Sequence, residues 1–465
     1  MLRPPARCAC ENGRMDFSVY TKSEANAEAA WRATLADLDD RGLRLDGEKP
    51  SRELLGYSIV IERPRWRLID NDVRPLPLIS AVARFVWMMA GNGRLADISF
   101  YEPQVERFTD DGLSVPGSNY GARLRQPYPG SDQVRGAIDR LRDGDSEVAG
   151  ADGKLRRPAN VIWRPEDALR TSKDIPCAFG LFYFPRDDKL LTQLVMRSNN
   201  AVALMPFNIF EFTLLAEVVA VEAGLDLGPF RVDAMSMHIY DWDEERVGQI
   251  LASPAGAGGE MPPIPAGSNA LEQLDLLARR EAELRHQLHE LADESLGQAL
   301  ARGEGLDAYW RPFFEVPLAL ALGKAKRLDL AREVADQLPD YFSRQVAAEL
   351  EKQFGSDSTE SSKSEPAAIA EPTPLFQLAS PGEEVARVYR ENRIDVDHLH
   401  TLLDEIERSE SIRLSHRQAR EVARAIEEEM VDVAARSEGE GDAEDFRALD
   451  RTDVLRAIRT LGFDR

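Results

Sequence analysis

The sequence predicts an α+β domain followed by an all-α extension, within a chain of 465 residues. Three observations support this prediction. Up to about residue 250, strand-like segments of alternating hydrophobicity are interspersed with helix-like apolar segments. A Pro/Gly/Ala-rich stretch, ASPAGAGGEMPPIPAGS, then interrupts the pattern. Beyond it, leucines recur at helical spacing with charged residues between them.

The first part contains seven legible elements. A helix is expected over 24–41, and GYSIVIERP follows as a partly alternating strand. PLPLISAVARFVWMMAG predicts a buried helix that ends at Gly91, and IFEFTLLAEVVAVEAG a second one that ends at Gly224. FGLFYF and LLTQLVMRS predict paired strands, and MSMHIYDWD one more strand. Mixed order of this kind indicates a mixed sheet with flanking helices.

Composition divides the whole chain into six segments. The last two segments are a Ser/Glu/Pro-rich tether, which has too few apolar residues to fold alone, and a group of short acidic helices after it. We expect the terminal module to bind a protein partner through a flexible attachment. The segments are an N-terminal tail (1–21), the α+β domain (22–250), a Pro/Gly linker (251–269), a helical region (270–355), a disordered tether (356–380) and a small acidic helical module (381–465).

Charge and cysteine content exclude several classes of function. The formal net charge of −23 argues against general nucleic-acid binding and against anionic membranes. Apolar runs are shorter than the ~20 residues that a membrane span needs, and the N-terminus lacks the apolar region of a secretory signal. Three cysteines cannot form a disulfide framework, and Cys8 and Cys10 lack zinc-ligand spacing. We therefore expect a cytoplasmic protein without a metal.

Cys177 is the only cysteine inside the α+β domain, in the stretch DIPCAFGLFYF. Cysteine is among the most buried residue types, so packing is the ordinary explanation. A nucleophilic role requires neighbours that stabilise the thiolate. The arginines of the domain are candidates for such neighbours and for an anion site: Arg52, Arg156, Arg157, Arg197 and, less clearly, Arg123. Each of them alone would ordinarily be a solvated surface residue.

Seven segments of the domain together resemble the thymidylate synthase family, over roughly residues 22–248. They occur in family order: SRELLGYSIVIERPRWRLI, RPLPLISAVARFVWMMAG, YEPQVERFTDDG with NYGARLR, RRPANVIW, DIPCAFGLFYFPRDDKL, MRSNNAVALMPFNIFEFTLL and MHIYDWD. The resemblance implies that Cys177 is the nucleophile that adds to C6 of the pyrimidine of deoxyuridylate (dUMP), and that Arg197 lies between this sulfur and the nucleotide phosphate. A fold with a thymidylate synthase-like mixed sheet is implied as well.

The resemblance also assigns the remaining substrate contacts. Arg52, Arg156, Arg157 and Ser198 correspond to phosphate ligands, and the adjacent arginine pair would reach in from the other subunit of a homodimer. Asn208 corresponds to the residue that reads the pyrimidine edge. An amide suits uracil, whereas a carboxylate would suit cytosine, as in the related deoxycytidylate hydroxymethylases. The sugar 3′-hydroxyl contacts correspond to His238 and Tyr240, and Tyr120 corresponds to a tyrosine close to the nucleophile.

The sequence departs from the family on the side of the one-carbon donor, 5,10-methylenetetrahydrofolate. The family's essential glutamate, which handles proton transfer at uracil O4, falls on Arg84. The aspartate that binds the pterin falls on Asn200, a weak cofactor-binding candidate. Leu204 and Ala178 replace a family glycine and histidine. The family's C-terminal strands and closing tail have no recognisable counterpart after residue 250.

Three functions remain open from these observations. The first is methyl transfer to dUMP through a Cys177–C6 adduct, as in thymidylate synthase. The second is a divergent enzyme that uses Cys177 to activate C5 of a pyrimidine nucleotide for other chemistry, such as hydroxymethylation. The third is a nucleotide-binding sensor or scaffold that has lost turnover. A cysteine at the nucleophile position favours the two enzymes over the sensor.

Overall fold

The computed structural model describes residues 20–128, 130–143, 154–256 and 258–355, together with Arg459. The predicted tether and terminal module therefore lie outside the described residues, as does nearly all of the N-terminal tail. The described residues up to 355 belong to one compact unit. Among the described helices, none is both long enough and apolar enough to cross a bilayer.

A mixed sheet of eight strands forms the centre of this unit. Its order is β1-β3-β8-β6-β5-β4, with β2 paired to β3 and β7 paired to β8. The β3–β8 and β5–β6 pairs are antiparallel, whereas β6–β8 is parallel. The strands are β1 (Tyr20–Glu24), β2 (Leu43–Leu45), β3 (Ser51–Ile61), β4 (Ala159–Val161), β5 (Ala178–Arg186), β6 (Lys189–Met196), β7 (Asn199–Asn200) and β8 (Asp226–Tyr240).

Twelve helices are described around the sheet. They are α1 (Ala27–Arg41), α2 (Leu78–Ala90), α3 (Leu95–Ser99), α4 (Tyr120–Leu124), α5 (Gln133–Asp143), α6 (Met205–Glu222), α7 (Glu244–Ala252), α8 (Ala270–His286), α9 (Leu296–Ala301), α10 (Arg311–Lys324), α11 (Leu328–Gln337) and α12 (Asp340–Phe354). Short 3₁₀ helices lie at Pro103–Phe108, Pro165–Ala168, Asp241–Asp243 and Glu290–Ala292. The α+β class and the helical character of 270–355 are confirmed.

The two predicted buried helices end where the sequence indicated. α2 stops before Gly91, which adopts φ +73°, and Gly224 follows α6 with φ +71°. Glycine terminates helices in this way because it enters the left-handed region without a Cβ clash. α6 is buried along almost its whole length and starts with Pro206 in its first turn, where a missing N–H costs nothing. The centre of the core is thus a helix that water does not reach.

The C-terminal helices share this core. Met261 and Ile264, from the stretch predicted as a linker, are buried in the same apolar cluster as α2 and α6. α8 and α10 pack on α2, and the ring of Phe85 on α2 stacks on Trp310 at 6.4 Å between ring centroids. The domain boundaries inferred from composition remain predictions, but the apolar core continues from the sheet to α12 without interruption.

Candidate active site

Cys177 lies immediately before β5, and Arg197 immediately after β6. The register pairs Ala178 with Met196, so the two residues are cross-strand neighbours. The backbone N–H of Arg197 donates to the Cys177 carbonyl at 2.7 Å. Its guanidinium Nη2 lies 3.8 Å from Cys177 Sγ, and its Nε donates to the Pro176 carbonyl at 3.3 Å. The sheet therefore holds the thiol and its cation together.

The pKa of the Cys177 thiol is raised, whereas a neighbouring arginine alone would lower it. Burial raises the pKa of the Cys177 thiol, Arg197 lowers it, and Asp174 raises it, with a net result above the ordinary value. The thiol is half-buried, so desolvation of the thiolate outweighs the single cation. Arg197 is also the only one of the predicted phosphate-binding arginines for which a contact to the sulfur is described.

Asp174 orders the loop that carries Tyr120 to the thiol. Its carboxylate accepts the backbone N–H groups of Gly117 at 2.8 Å and Ser118 at 2.6 Å. A Cβ on Gly117 would lie 2.4 Å from the Asp174 carbonyl oxygen, so only glycine permits this approach. α4 begins directly afterwards at Tyr120, whose pKa is raised by burial and by negative charge at Cys177 and Glu211. The Tyr120 hydroxyl therefore lies between the thiol and α6.

The predicted sugar-binding pair lies on β8. The rings of His238 and Tyr240 meet edge to face at 5.1 Å between centroids, and Tyr240 stacks on Trp242 at 4.3 Å. Ser198 Oγ lies 3.4 Å from His238 Nδ1, so the predicted phosphate and sugar contacts adjoin each other. Burial lowers the pKa of His238, with a smaller opposing effect of Glu53. His238 is consequently a neutral hydrogen-bonding group at neutral pH.

Asn200 is the last residue of β7, where it pairs with His238 on β8, and Asn208 lies in the first turn of α6. Asn208, in the first turn of α6, is buried and donates its Nδ2 to the Asn199 side-chain oxygen at 3.1 Å. The same Nδ2 also contacts Met196 Sδ at 3.7 Å, a weak acceptor that a carbonyl oxygen of a base could replace. The Asn200 side-chain oxygen already accepts the backbone N–H groups of Val202 at 3.0 Å and Ala203 at 2.7 Å. Because a pterin presents N–H donors, Asn200 does not fit it as the family's aspartate would.

Arg52 points away from these residues. It is paired with Ile239 across β3 and β8, whereas Glu53 is paired with His238. Cross-strand partners share a sheet face and successive residues alternate, so Arg52 lies on the face opposite His238. Its Nε contacts Glu244 at 2.7 Å. The predicted phosphate role of Arg52 would require this ion pair to break.

Of the other predicted arginines, two are exposed and one is buried in an ion pair. Arg156 and Arg157 are exposed on the segment before β4. This position allows them to reach another chain, which stays a prediction. Arg123 is buried instead, and its guanidinium contacts Asp167 at 2.5 and 2.9 Å as well as the carbonyl oxygens of Ile162 and Pro116. Arg123 therefore holds the loops of the site together.

Sequence reasoning missed the partners of Arg84. Its Nε donates to Glu211 on α6 at 2.8 Å, and its Nη1 to Glu102 at 3.2 Å. The guanidinium also lies over the Phe207 ring, 5.0 Å from its centroid. Burial would lower the pKa of Arg84, but Glu211 and Glu102 raise it above the ordinary value. The only sequence signal was a glutamate inside the apolar run FNIFEFTLL, because glutamate is almost never fully buried unless it is paired.

Comparison with known proteins gives a family match that includes part of the chain. Residues 73–293 match the family model of thymidylate synthase, a range that starts and ends later than the predicted 22–248. A deoxyuridylate hydroxymethyltransferase of Delftia phage PhiW-14 is 30% identical over 42% of this chain and 54% of its own length. The corresponding protein of Bacillus phage SP01 is 26% identical over 41% and 51%.

A putative thymidylate synthase of Methanothermobacter thermautotrophicus is 29% identical over 51% of this chain and 99% of its own length. The chain thus spans about half the length of the two phage relatives and nearly all of the archaeal one. Residues 73–293 of this chain therefore match a thymidylate synthase family domain, and the Cys177–Arg197 pair lies within this range.

Proposed function

We propose that the chain transfers a one-carbon unit to C5 of dUMP through a covalent adduct between Cys177 Sγ and C6 of the uracil. The observation that carries the proposal is the placement of Arg197 Nη2 3.8 Å from the sulfur, in a domain of this family. The guanidinium compensates the thiolate charge, and its remaining N–H donors can bind a phosphate. One cation can therefore activate the nucleophile and bind the substrate.

The chemistry follows from the nucleophile. The thiol of Cys177 loses its proton, the thiolate forms a bond to C6, and the electron pair of the C5–C6 double bond moves through C4 onto O4. C5 is then nucleophilic and forms a bond to the carbon of the one-carbon unit. The two bonds from this carbon to the donor's nitrogens break in turn, each electron pair stays on nitrogen, and a hydride or a water oxygen takes the vacated position. C5 subsequently loses its proton, and the sulfur leaves C6 as the double bond re-forms. Asn208 can hold the uracil edge, and His238 with Tyr240 the sugar.

We infer 5,10-methylenetetrahydrofolate as the one-carbon substrate, because the family generally uses it. The unit it supplies has the oxidation level of formaldehyde, so a methyl product needs a hydride in addition, whereas a hydroxymethyl product needs only water. Asn200 cannot replace the pterin-binding aspartate while its side-chain oxygen accepts two backbone N–H groups. The pterin must accordingly be bound by other groups than in the family pattern.

Hydroxymethylation of dUMP is the second candidate. The specific observation in its favour is the altered donor side at Asn200 and Leu204, the latter 37% exposed. Two phage relatives carry the name deoxyuridylate hydroxymethyltransferase, which is consistent with this candidate. Both candidates share the Cys177 adduct and differ only in the fate of the exocyclic carbon.

A homodimer is part of this proposal. The outer face of the sheet exposes apolar side chains on three strands: Val161 at 56%, Phe182 at 43% and Met235 at 49%. Several exposed apolar side chains on one sheet face mark an interaction surface. Arg156 and Arg157 precede β4 at the edge of the same sheet, so a second copy on this face could receive them. Light scattering of the purified chain tests the dimer, and a monomer at micromolar concentration contradicts it.

The catalytic proposal is tested by trapping the adduct. With methylenetetrahydrofolate present, 5-fluoro-dUMP should remain attached to Cys177 and raise the intact mass of the chain, because fluorine cannot leave C5 as a cation once the one-carbon unit is bonded there. Cys177→Ser should lose the adduct, and Cys8→Ser, which removes another thiol, should keep it. With dUMP and methylenetetrahydrofolate, mass spectrometry then distinguishes a methyl from a hydroxymethyl product. Absence of adduct and of product would favour a nucleotide-binding sensor.

A further inference from the structure

Three charged side chains form a buried cluster beside the site, which we call the Arg84 cluster: Arg84, Glu211 and Glu102. Arg84 joins the two carboxylates at 2.8 and 3.2 Å. Both glutamates are buried, with side-chain exposures of 3% and 6%, while Arg84 retains 16%. A buried carboxylate requires such a partner, because desolvation of an isolated charge is very costly.

Glu211 shares a helix face with the base-reading residue. It follows Asn208 by three positions in α6, and side chains at this spacing are neighbours. Tyr120 connects the same face to the nucleophile, because its hydroxyl is influenced by the charges of both Glu211 and Cys177. Glu211 thus lies one helical turn from the residue proposed to hold the uracil carbonyl, and its charge acts on the same Tyr120 hydroxyl as that of Cys177.

We propose that Glu211 is the group that donates a proton to the pyrimidine O4 and takes it back, and that Arg84 is the residue that positions it. This inference rests on the proposed function. It assigns to α6 the carboxylate that the sequence lacks at position 84 of α2. The charge arrangement is inverted: a cation stands where a carboxylate was expected, and the carboxylate stands across from it, 2.8 Å away.

The proton step balances without a further reactant. As the Cys177–C6 bond forms, negative charge moves to O4, and the Glu211 carboxylic acid protonates O4 directly or through one water. When the C5 enol reacts, the O4–H bond breaks, its electron pair re-forms the C4 carbonyl, and the proton returns to the carboxylate. No electron is gained or lost overall. Arg84 stays protonated throughout, since its carboxylate neighbours raise its pKa.

The cluster favours a proton on one carboxylate. Two ionised glutamates around one arginine leave a net negative charge in a buried place, and protonation of one of them removes it. Burial raises the pKa of Glu211, Arg84 lowers it, and Glu102 raises it, with a net value above the ordinary one. Glu102 Oε1 is buried and has no hydrogen-bond partner among the described residues. Glu102 therefore completes the electrostatic environment of Glu211 from a separate segment.

The test uses the full chain without any one-carbon donor. Addition of Cys177 to dUMP activates C5, so C5–H should exchange with deuterium from D₂O, which NMR detects. Glu211→Gln should slow this exchange by roughly 100-fold or more while the Kd for dUMP stays within about threefold. Glu211→Asp, which keeps a carboxyl group, should slow exchange less and retain the decline of exchange that occurs as the pH rises and the carboxylic acid ionises. Glu222→Gln, at the end of the same helix, is the matched control and should leave exchange unchanged.

The outcomes separate this inference from the proposed function. If Glu211→Gln exchanges C5–H at the rate and with the pH profile of the unaltered chain, this inference is overturned and the proposed function is not affected. Loss of exchange in Glu102→Gln but not in Glu211→Gln would move the proton to the other carboxylate and also overturn it. Absence of exchange in the unaltered chain, with no 5-fluoro-dUMP adduct, would overturn the proposed function and this inference with it. Circular dichroism establishes that each variant is folded. If Glu211→Gln does not fold, the exchange rate of Glu211→Asp tests the inference instead.

Discussion

The carboxylate of Glu349, on α12, accepts a hydrogen bond from the backbone N–H of Leu78, the first residue of α2. Its second oxygen lies 3.4 Å from the N–H of Ile79. The residue before the helix, Pro77, supplies no side-chain cap. The helix that carries Arg84 is thus capped from a residue about 270 positions later in the chain.

Glu349 predicts a pH dependence of stability. Burial raises its pKa from 4.5 to about 7, although the two backbone N–H groups oppose the shift. Between pH 4.5 and 7 the folded chain keeps a proton that the unfolded chain has released, so the stabilisation is complete below this range and is lost as the pH rises through it. Glu349→Gln keeps an acceptor oxygen but does not titrate. Urea midpoints should therefore fall more steeply across this range in the unaltered chain than in the variant, and parallel curves would contradict the assignment.

Glu217 predicts a large loss of stability on truncation. It lies fully buried on α6, accepts Arg65 Nε at 2.7 Å, and pairs with the fully buried Arg67. It also accepts the backbone N–H of Ile264 at 3.1 Å, which fixes the 251–269 segment. Glu217→Ala should cost about 3–5 kcal/mol in the free energy of unfolding, because Arg67 is left charged and unpaired.

The matched comparison for Glu217 is the double variant Glu217→Leu with Arg67→Met. Removal of both charges should be much less harmful than removal of one, since no isolated ion remains buried. Urea denaturation of the single and double variants measures the coupling. Additive losses would show that the two side chains do not stabilise each other.

Arg197 predicts a change in thiol reactivity. It is the cation that lowers the pKa of Cys177 against burial and Asp174. Arg197→Gln should therefore move the pH midpoint of alkylation by iodoacetamide upward and weaken nucleotide binding. Arg231→Gln, which removes an arginine paired with Asp233 on β8, is a control that should leave the midpoint in place. An unchanged midpoint in Arg197→Gln would show that the guanidinium does not stabilise the Cys177 thiolate.

Asn208 predicts base preference. Replacement by aspartate presents an acceptor to the amino group of cytosine, and it repels O4 of uracil. Asn208→Asp should shift the ratio of the Kd values for dCMP and dUMP by about 10- to 100-fold in favour of dCMP, as expected for leaving one buried polar group unpaired. Isothermal titration of both nucleotides measures this ratio. Equal weakening of both would indicate that Asn208 supports α6 rather than the base.

We expect nucleotide binding not to depend on the terminal segments. The described residues of the candidate site all precede residue 356 and lie within one compact unit. Deletion of 356–465 should therefore leave the Kd for dUMP within about twofold, because no described contact of the site is removed. A loss of dUMP binding in the shortened chain would assign the terminal module to the site or to the dimer.

Local sequence signals predicted the helices and strands well. Gly91 and Gly224 terminate their helices as expected because a left-handed glycine is a signal that neighbours in the chain determine. FGLFYF and LLTQLVMRS form the paired strands β5 and β6, and this pairing alone brings Cys177 to Arg197. The candidate nucleophile and its cation could thus be anticipated, whereas the raised pKa of the thiol depends on burial that the sequence does not reveal.

Long-range partners could not be predicted in the same way. Arg84 and Glu211 are far apart in sequence and meet only because α2 and α6 pack together. The direction of Arg52 depends on the register of β3 against β8, where a shift of one residue would reverse the face of every side chain. Such relationships require tertiary structure.

The stacking of Phe85 on Trp310 has a practical consequence for truncation. The range that matches the family ends at residue 293, before the helix that supplies Trp310 and Phe313. A fragment cut at this boundary would expose the ring next to Arg84 to water, and we expect it to aggregate during expression. The boundary that evolutionary comparison draws is therefore not one at which the polypeptide can be divided.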